Sequence, residues 1–230
     1  MFACERFFYT PFDSTAFRFA FIRSLQTDTR ERLSPTNIAG FVINQNDPRL
    51  SQNESYNFGW DQRIGQSSFF RGSAFYRDRN TPVLVQGDAG FTPSTTLNHF
   101  HGADLVWNQL LGERWSLVPQ YSVFRGEDVN GIRHEHDASL RLFFISPRRF
   151  WVSIGENYIR QAGFSGNTNV YGNFGTTDLS AAYEFPRKRA VIVFNMTNVF
   201  DHNFVLLVDP LSLDPRVPRR QVSGTVRFNF

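Results

Sequence analysis

The chain has 230 residues, a net charge of +3, a hydrophobic share of 41% and 26 phenylalanines. That length suits one large domain or one all-β barrel, and the best apolar run, Ala190–Phe194, falls far short of the roughly eighteen residues of a transmembrane helix. A helical membrane protein is excluded, and carboxylates interspersed among the bases leave too little positive charge to argue for nucleic acid.

Abundant aromatics at a mean hydropathy of −0.34 imply apolar residues dispersed in alternation with polar ones. Of the 24 basic residues only Lys188 is a lysine. Arginine suits planar, bidentate pairs with carboxylates in a wet interior, although a GC-rich coding sequence gives the same bias. Cys4 is alone, so neither a disulfide framework nor a cysteine metal site is available. No basic segment followed by an apolar one opens the chain, which for an exported protein predicts a truncated start.

Period-two alternation predicts strands almost throughout. Residues 1–13, with Arg6 to Tyr9, read as the remnant of a preceding strand, and residues 14–230 as a barrel segment of about ten strands. Phe17, Phe19 and Phe21 alternate with Arg18 and Ala20, and Tyr56, Phe58 and Trp60 with Asn57, Gly59 and Asp61. Phe70, Ala74 and Tyr76 oppose Arg71, Ser73 and Arg77, and Ala103, Leu105 and Trp107 alternate with Asp104 and Asn108. Trp115, Leu117, Tyr121 and Val123 form the next apolar face, then Ala138, Leu140, Leu142 and Phe144, then Phe150, Val152, Ile154 and Tyr158. Leu179, Ala181, Tyr183 and Phe185 follow, and Val191–Phe194 is apolar on both faces, which leaves its orientation open. In the last strand Val222, Gly224, Val226, Phe228 and Phe230 face away from Ser223, Arg227 and Asn229.

The connectors alternate in length. Short turns are expected at 64–67, 110–114, 146–148 and 186–189, long loops at 24–52, 80–97, 161–174 and 200–218, and a medium loop at 126–133. Short periplasmic turns and long extracellular loops belong to a membrane barrel; a soluble β-sandwich has no reason to keep that order. Trp60, Trp107, Trp115, Phe150, Phe185 and Phe230 lie near the short turns, where an interfacial girdle belongs.

The terminal strand ending in Phe230 resembles the signal by which the outer-membrane assembly machinery recognises its substrates, with Val222, Gly224, Val226, Phe228 and Phe230 as its residues. Val193–Phe204, with Asn198-Val-Phe-Asp201, and Pro218–Gln221 are similar to the ends of TonB-dependent receptor barrels. Leu33–Phe41, Tyr56–Arg63 and Phe75–Arg79 resemble a subgroup that joins tetratricopeptide repeats to such a barrel. The resemblance implies transport of solutes across the Gram-negative outer membrane. Its implied partners are outer-membrane lipid, the barrel-assembly machinery and an energy-coupling periplasmic protein acting through an N-terminal part. A plug and the 22 or so strands of a complete receptor are not in these residues, so a self-contained ten-stranded pore or adhesin is the first alternative and a soluble β-sandwich binding module the second. Such closure requires the strand around Phe17–Arg23 to pair with 219–230.

Asp61, Arg63, Arg71, Arg77, Asp104, Arg141, Asp178, Glu184 and Arg227 have inward parity. They form either a channel wall that selects solutes or a ladder of ion pairs that keeps the lumen hydrated. His99 and His101, and His134 and His136, are His-x-His pairs able to share a face, but their parity is that of Ala103 and Ala138, which predicts rim histidines and no lumenal metal. His134-Glu-His-Asp137 is reminiscent of a barrel protease, yet the outward parity of both histidines argues against it. No catalytic constellation and no cofactor motif is expected.

Overall fold

The computed structural model describes residues 2–25, 36–38, 41–43, 51–87, 90–128, 131–165, 168–186, 190–204 and 219–228. The elements are β1 (Phe2–Phe12), β2 (Thr15–Leu25), β3 (Thr36–Ile38), β4 (Phe41–Ile43), β5 (Gln52–Ile64), β6 (Ser68–Gly87) and β7 (Gly90–Leu111). They continue as β8 (Trp115–Asp128), β9 (Gly131–Ile145), β10 (Phe150–Ser165), β11 (Thr168–Glu184), β12 (Ala190–Thr197) and β13 (Gln221–Phe228). Eleven of them form one antiparallel sheet in the order β1-β2-β5-β6-β7-β8-β9-β10-β11-β12-β13, and β3 and β4 make a separate hairpin. No helix among the described residues is long and apolar enough to cross a membrane, which leaves crossing by strands untouched.

Among the described residues, ten strands of this sheet lie within 14–230, as expected, and the segment around Arg6–Tyr9 is the expected preceding strand, extended to Phe2–Phe12 and paired along β2. Short turns fall where alternation lapses, with Gly65 (φ 61°) and Gly112 (φ 72°) supplying left-handed backbone that a side chain resists. Two expected long loops and the medium one are corrected. Positions 80–97, 126–133 and 161–174 are mostly ladder: β6 and β7 pair as far as Gly87–Gly90, β8 and β9 to Asp128–Gly131, and β10 and β11 to Ser165–Thr168. Backbone hydrogen bonds need no apolar alternation, so a ribbon rising beyond any apolar surroundings reads as loop chemistry. Positions 205–218 and most of 26–50 lie outside the described residues, as does Phe230.

Among the described residues the sheet does not close. β2 lies between β1 and β5, so the Phe17–Arg23 strand does not meet 219–230, and β13 pairs with β12. The ten-strand closure is thereby corrected.

Burial is inverted relative to a water-soluble domain. Among the described residues the buried apolar side chains are Ala20, Ile22, Ala182 and Ala190, whereas Arg18, Asn53, Ser55, Asn57, Asn98, Ser153 and Gln161 are buried polar ones. Phe19, Phe58, Leu105, Leu140, Ile154 and Phe194 are exposed, all on one face. Register settles Val191–Phe194 as well: Ile192 opposes Val226 and Phe194 opposes Gly224, which puts both on that apolar face. A continuous exposed apolar face on so long a sheet is a surface for lipid or another apolar layer. Glu156 interrupts it, opposite Leu140 and Thr177, and its Oε1 accepts a hydrogen bond from Thr177 Oγ1 at 2.7 Å.

Candidate functional site

The polar face gathers the inward charges in three places. Asp61 lies opposite Arg71, whose Nε donates to its Oδ1 at 2.9 Å, while Arg18 Nη2 reaches its Oδ2 at 3.0 Å from β2. Ser73 Oγ donates to Asp104 Oδ2 at 3.4 Å across β6 and β7. Asp178 is a node: it accepts from Asn157 Nδ2 at 2.8 Å and from the Asn198 backbone N–H at 3.0 Å, with Arg141 Nη2 4.0 Å away. Arg141, Gly155 and Asp178 are consecutive partners across β9, β10 and β11, and a Cβ at Gly155 would lie 3.0 Å from Arg141 Nε. The missing side chain therefore opens the path by which the guanidinium crosses β10. Arg63, Arg77, Glu184 and Arg227 share the face and join none of these clusters.

Around the Asp178 node the polar face forms a concavity of about 550 Å³, lined by Gln120, Asp137, Arg141, Asn157, Asp178 and Asn198 among others. Beyond β12 the chain turns over it. Asn198 (φ 49°) and Asp201 (φ 55°) take left-handed conformations. Asn198 Nδ2 donates to His202 O at 2.9 Å, and the His202 N–H donates to Asn198 Oδ1 at 2.9 Å. Phe204 stacks on Phe174 with ring centroids 3.8 Å apart. Asp201 Oδ1 accepts from the Arg220 N–H at 2.9 Å, which ties the return of the chain to its departure. The Asn198–Asp201 motif is thus a turn locked onto the polar face.

Alternation gave no hint of an aromatic cluster on the same face. Phe124 lies 6.4 Å from Phe75 and 6.2 Å from Phe100, ring to ring, with Arg79 over Phe100 at 4.6 Å and Arg133 over Phe124 at 5.8 Å. Arg133 also pairs with Glu135. The available signal was a glycine beside each ring: a Cβ on Gly102 would meet Val123 O at 2.7 Å and Phe75 Cε1 at 2.8 Å.

The other face carries two aromatic levels. Near the short turns, Phe70 stacks on Trp107 at 5.3 Å, Trp115 packs on Phe144 at 4.8 Å, and Tyr183 meets Phe185 at 5.2 Å. Higher up, Tyr76 Oη is hydrogen-bonded to His99 Nδ1 at 3.2 Å and Tyr121 Oη to His136 Nδ1 at 2.7 Å, while Asp78 holds His99 at 2.6 Å. His134 and His136 share the face of Tyr121; Glu135 and Asp137 point to the opposite side of β9. Among the described residues no three His, Cys, Asp or Glu side chains gather into a metal site.

An antiparallel meander with a polar, ion-paired face and an aromatic-bordered apolar face is the wall of a β-barrel of the outer-membrane type. The fold is similar to that of the copper transporter OprC, with a TM-score of 0.63 at 15% identity over 98% of this chain. The chain spans 38% of that protein's length. No family model matches the chain, and no curated protein does.

Proposed function

We propose that this chain is part of the wall of a TonB-dependent receptor-like transporter in the Gram-negative outer membrane, moving solutes along its polar face. The inverted burial carries the reading, because exposed Phe58, Leu105 and Leu140 and withdrawn Arg18, Asn57 and Gln161 suit lipid outside and water inside. The likeness to an outer-membrane transporter supports it, as do the Asn198–Asp201 turn and the alternating terminal strand. Copper belongs to the neighbour by its name, and this reading names no solute. Asp61 and Asp178 with their arginines, and Asp104 with Ser73, line the route, with Phe75, Phe100 and Phe124 as apolar contacts along it. The last strand engages the assembly machinery, and energy coupling belongs to an N-terminal part. No catalytic step is assigned.

Fractionation of the cells that make the protein tests the placement, and solute uptake after deletion tests transport. The expected result is a heat-modifiable band in the outer-membrane fraction and lost growth on one limiting nutrient. Recovery in the soluble fraction would sink the reading.

A further inference from the structure

His101, Arg125 and His134 stand side by side across β7, β8 and β9, each opposite the next in the ladder, and His136 stands opposite Arg160 on β10. All five share the apolar face, with the parity of Ala103, Val123, Ala138 and Tyr158. Counted from the strand ends at the short turns, Leu111, Trp115, Ile145 and Phe150, they come nine to eleven positions up. At roughly 3.3 Å per residue and a tilt of about 40°, that height is roughly 25 Å, the top of the apolar band. Tyr121 and Tyr158 lie just below on the same face, both exposed.

Arg125 and Arg160 carry the fixed positive charge of this row, and their ladder partners are imidazoles rather than acids, so an anion arriving from outside would complete it. Among the described residues neither Arg125 nor Arg160 takes part in an ion pair. The other acids on this face are elsewhere: Glu5 lies on β1 opposite Phe21, Asp78 holds His99, Glu54 pairs with Arg23 at 3.1 Å, and Glu156 is lower and bonded to Thr177. Glu127 is opposite His99, two positions beyond Arg125.

We propose that His101, Arg125, His134, His136 and Arg160 form a docking surface for the phosphates of a membrane glycolipid in the leaflet on the long-loop side. Arginine grips phosphate in a bidentate fork, and imidazole donates a hydrogen bond in either charge state. Location selects lipid over a free anion. The cluster faces the bilayer, level with its headgroups, and exposed Leu105, Tyr121 and Leu140 lie beneath it to receive acyl chains.

The inference rests on the outer-membrane placement proposed above, and its test separates the two. The full chain is refolded into phosphatidylcholine vesicles doped with diphosphorylated lipid A or with its dephosphorylated form, and the lipid that co-purifies is quantified. Wild type is expected to retain the phosphorylated form on the order of tenfold to a hundredfold better. Joint Arg125→Gln and Arg160→Gln substitution abolishes the preference, whereas Arg23→Gln, at a similar level but paired with Glu54, leaves it intact. Equal retention of both lipids by wild type, or an unchanged preference in the double variant, overturns the proposal. Displacement of lipid A by inorganic phosphate at equal phosphate concentration also overturns it, by assigning the cluster to a free anion. Failure of the placement shows differently, as a chain that gives no protease-protected band even in plain phosphatidylcholine.

Discussion

Asp61 receives Arg71 from directly across the ladder at 2.9 Å and Arg18 from the neighbouring strand at 3.0 Å, so one carboxylate joins β2, β5 and β6 on the polar face. Its side chain retains 20% exposure and that of Arg18 10%, against 56% for Arg71. The Arg18 contact therefore dominates, since water screens the other. Asp61→Ala leaves two facing guanidinium groups and is expected to cost about 1–3 kcal/mol. Urea unfolding in detergent measures this, and Arg18→Gln added to Asp61→Asn should recover part of the loss. An additive double variant would show that the pair is not coupled.

Asp178 is expected to matter more for the turn beyond β12 than for the wall. Asp178→Ala removes the acceptor of both Asn157 and the Asn198 N–H, each hydrogen bond worth about 1 kcal/mol. Limited trypsinolysis at Arg219 and Arg220 should then speed up while the strands stay protected. Asn198→Gly keeps the backbone conformation but loses both His202 contacts, so it should show a milder form of the same effect. Unchanged cleavage in both variants would detach Asp178 from the turn.

Gly102→Ala tests the aromatic cluster. The added methyl would press on Val123 O, a backbone atom that moves only with β8, and on the Phe75 ring. A cost of about 1–3 kcal/mol is expected from such overpacking. Gly224→Ala, whose Cβ would meet nothing within 4 Å, is the matched control and should be near neutral in urea unfolding.

The two faces make opposite predictions for neighbouring residues. Leu140→Arg places a charge on the apolar face, expected to cost about 2–4 kcal/mol in a bilayer, whereas Ser139→Arg points to the hydrated side and should be tolerated. The inserted fraction in vesicles measures both. Equal outcomes would remove the lipid from the account.

Glu156→Leu should stabilise the inserted sheet by about 1 kcal/mol, because it removes a carboxylate from a lipid-facing band. Thr177 loses its acceptor in exchange. Destabilisation would mean that Glu156 faces a protein or another polar layer.

The outer face was legible because lipid and lumen impose period two on each strand, as Phe17, Phe19 and Phe21 or Leu140, Leu142 and Phe144 show. Where both faces are apolar, as at Val191–Phe194, only pairing with Val226 and Gly224 decides orientation. The upper β6–β7 hairpin escaped notice for its Thr81, Pro82, Pro93 and Ser94. Beyond Asn80 and His99 it has lost β5 and β8 as neighbours, and an edge strand tolerates a missing N–H. The inward charges were readable as a set, since parity fixes their side. Their partnerships were not, because Arg18 meets Asp61 through the stagger of β2 on β5. The rings of Phe75, Phe100 and Phe124 were invisible for a different reason: alternation assigns aromatics to lipid, and only the opposing glycines betray an aromatic turned inward.

β6 has 20 residues and β7 has 22. Ribbons of that length, tilted by about 40°, rise roughly 50 Å, about twice the apolar band. With the outer-membrane placement proposed above, this hairpin would overtop the membrane like a mast. Its upper strands would then be the part of the wall that antibodies and phage meet first, and the stretch where sequence change costs the wall least.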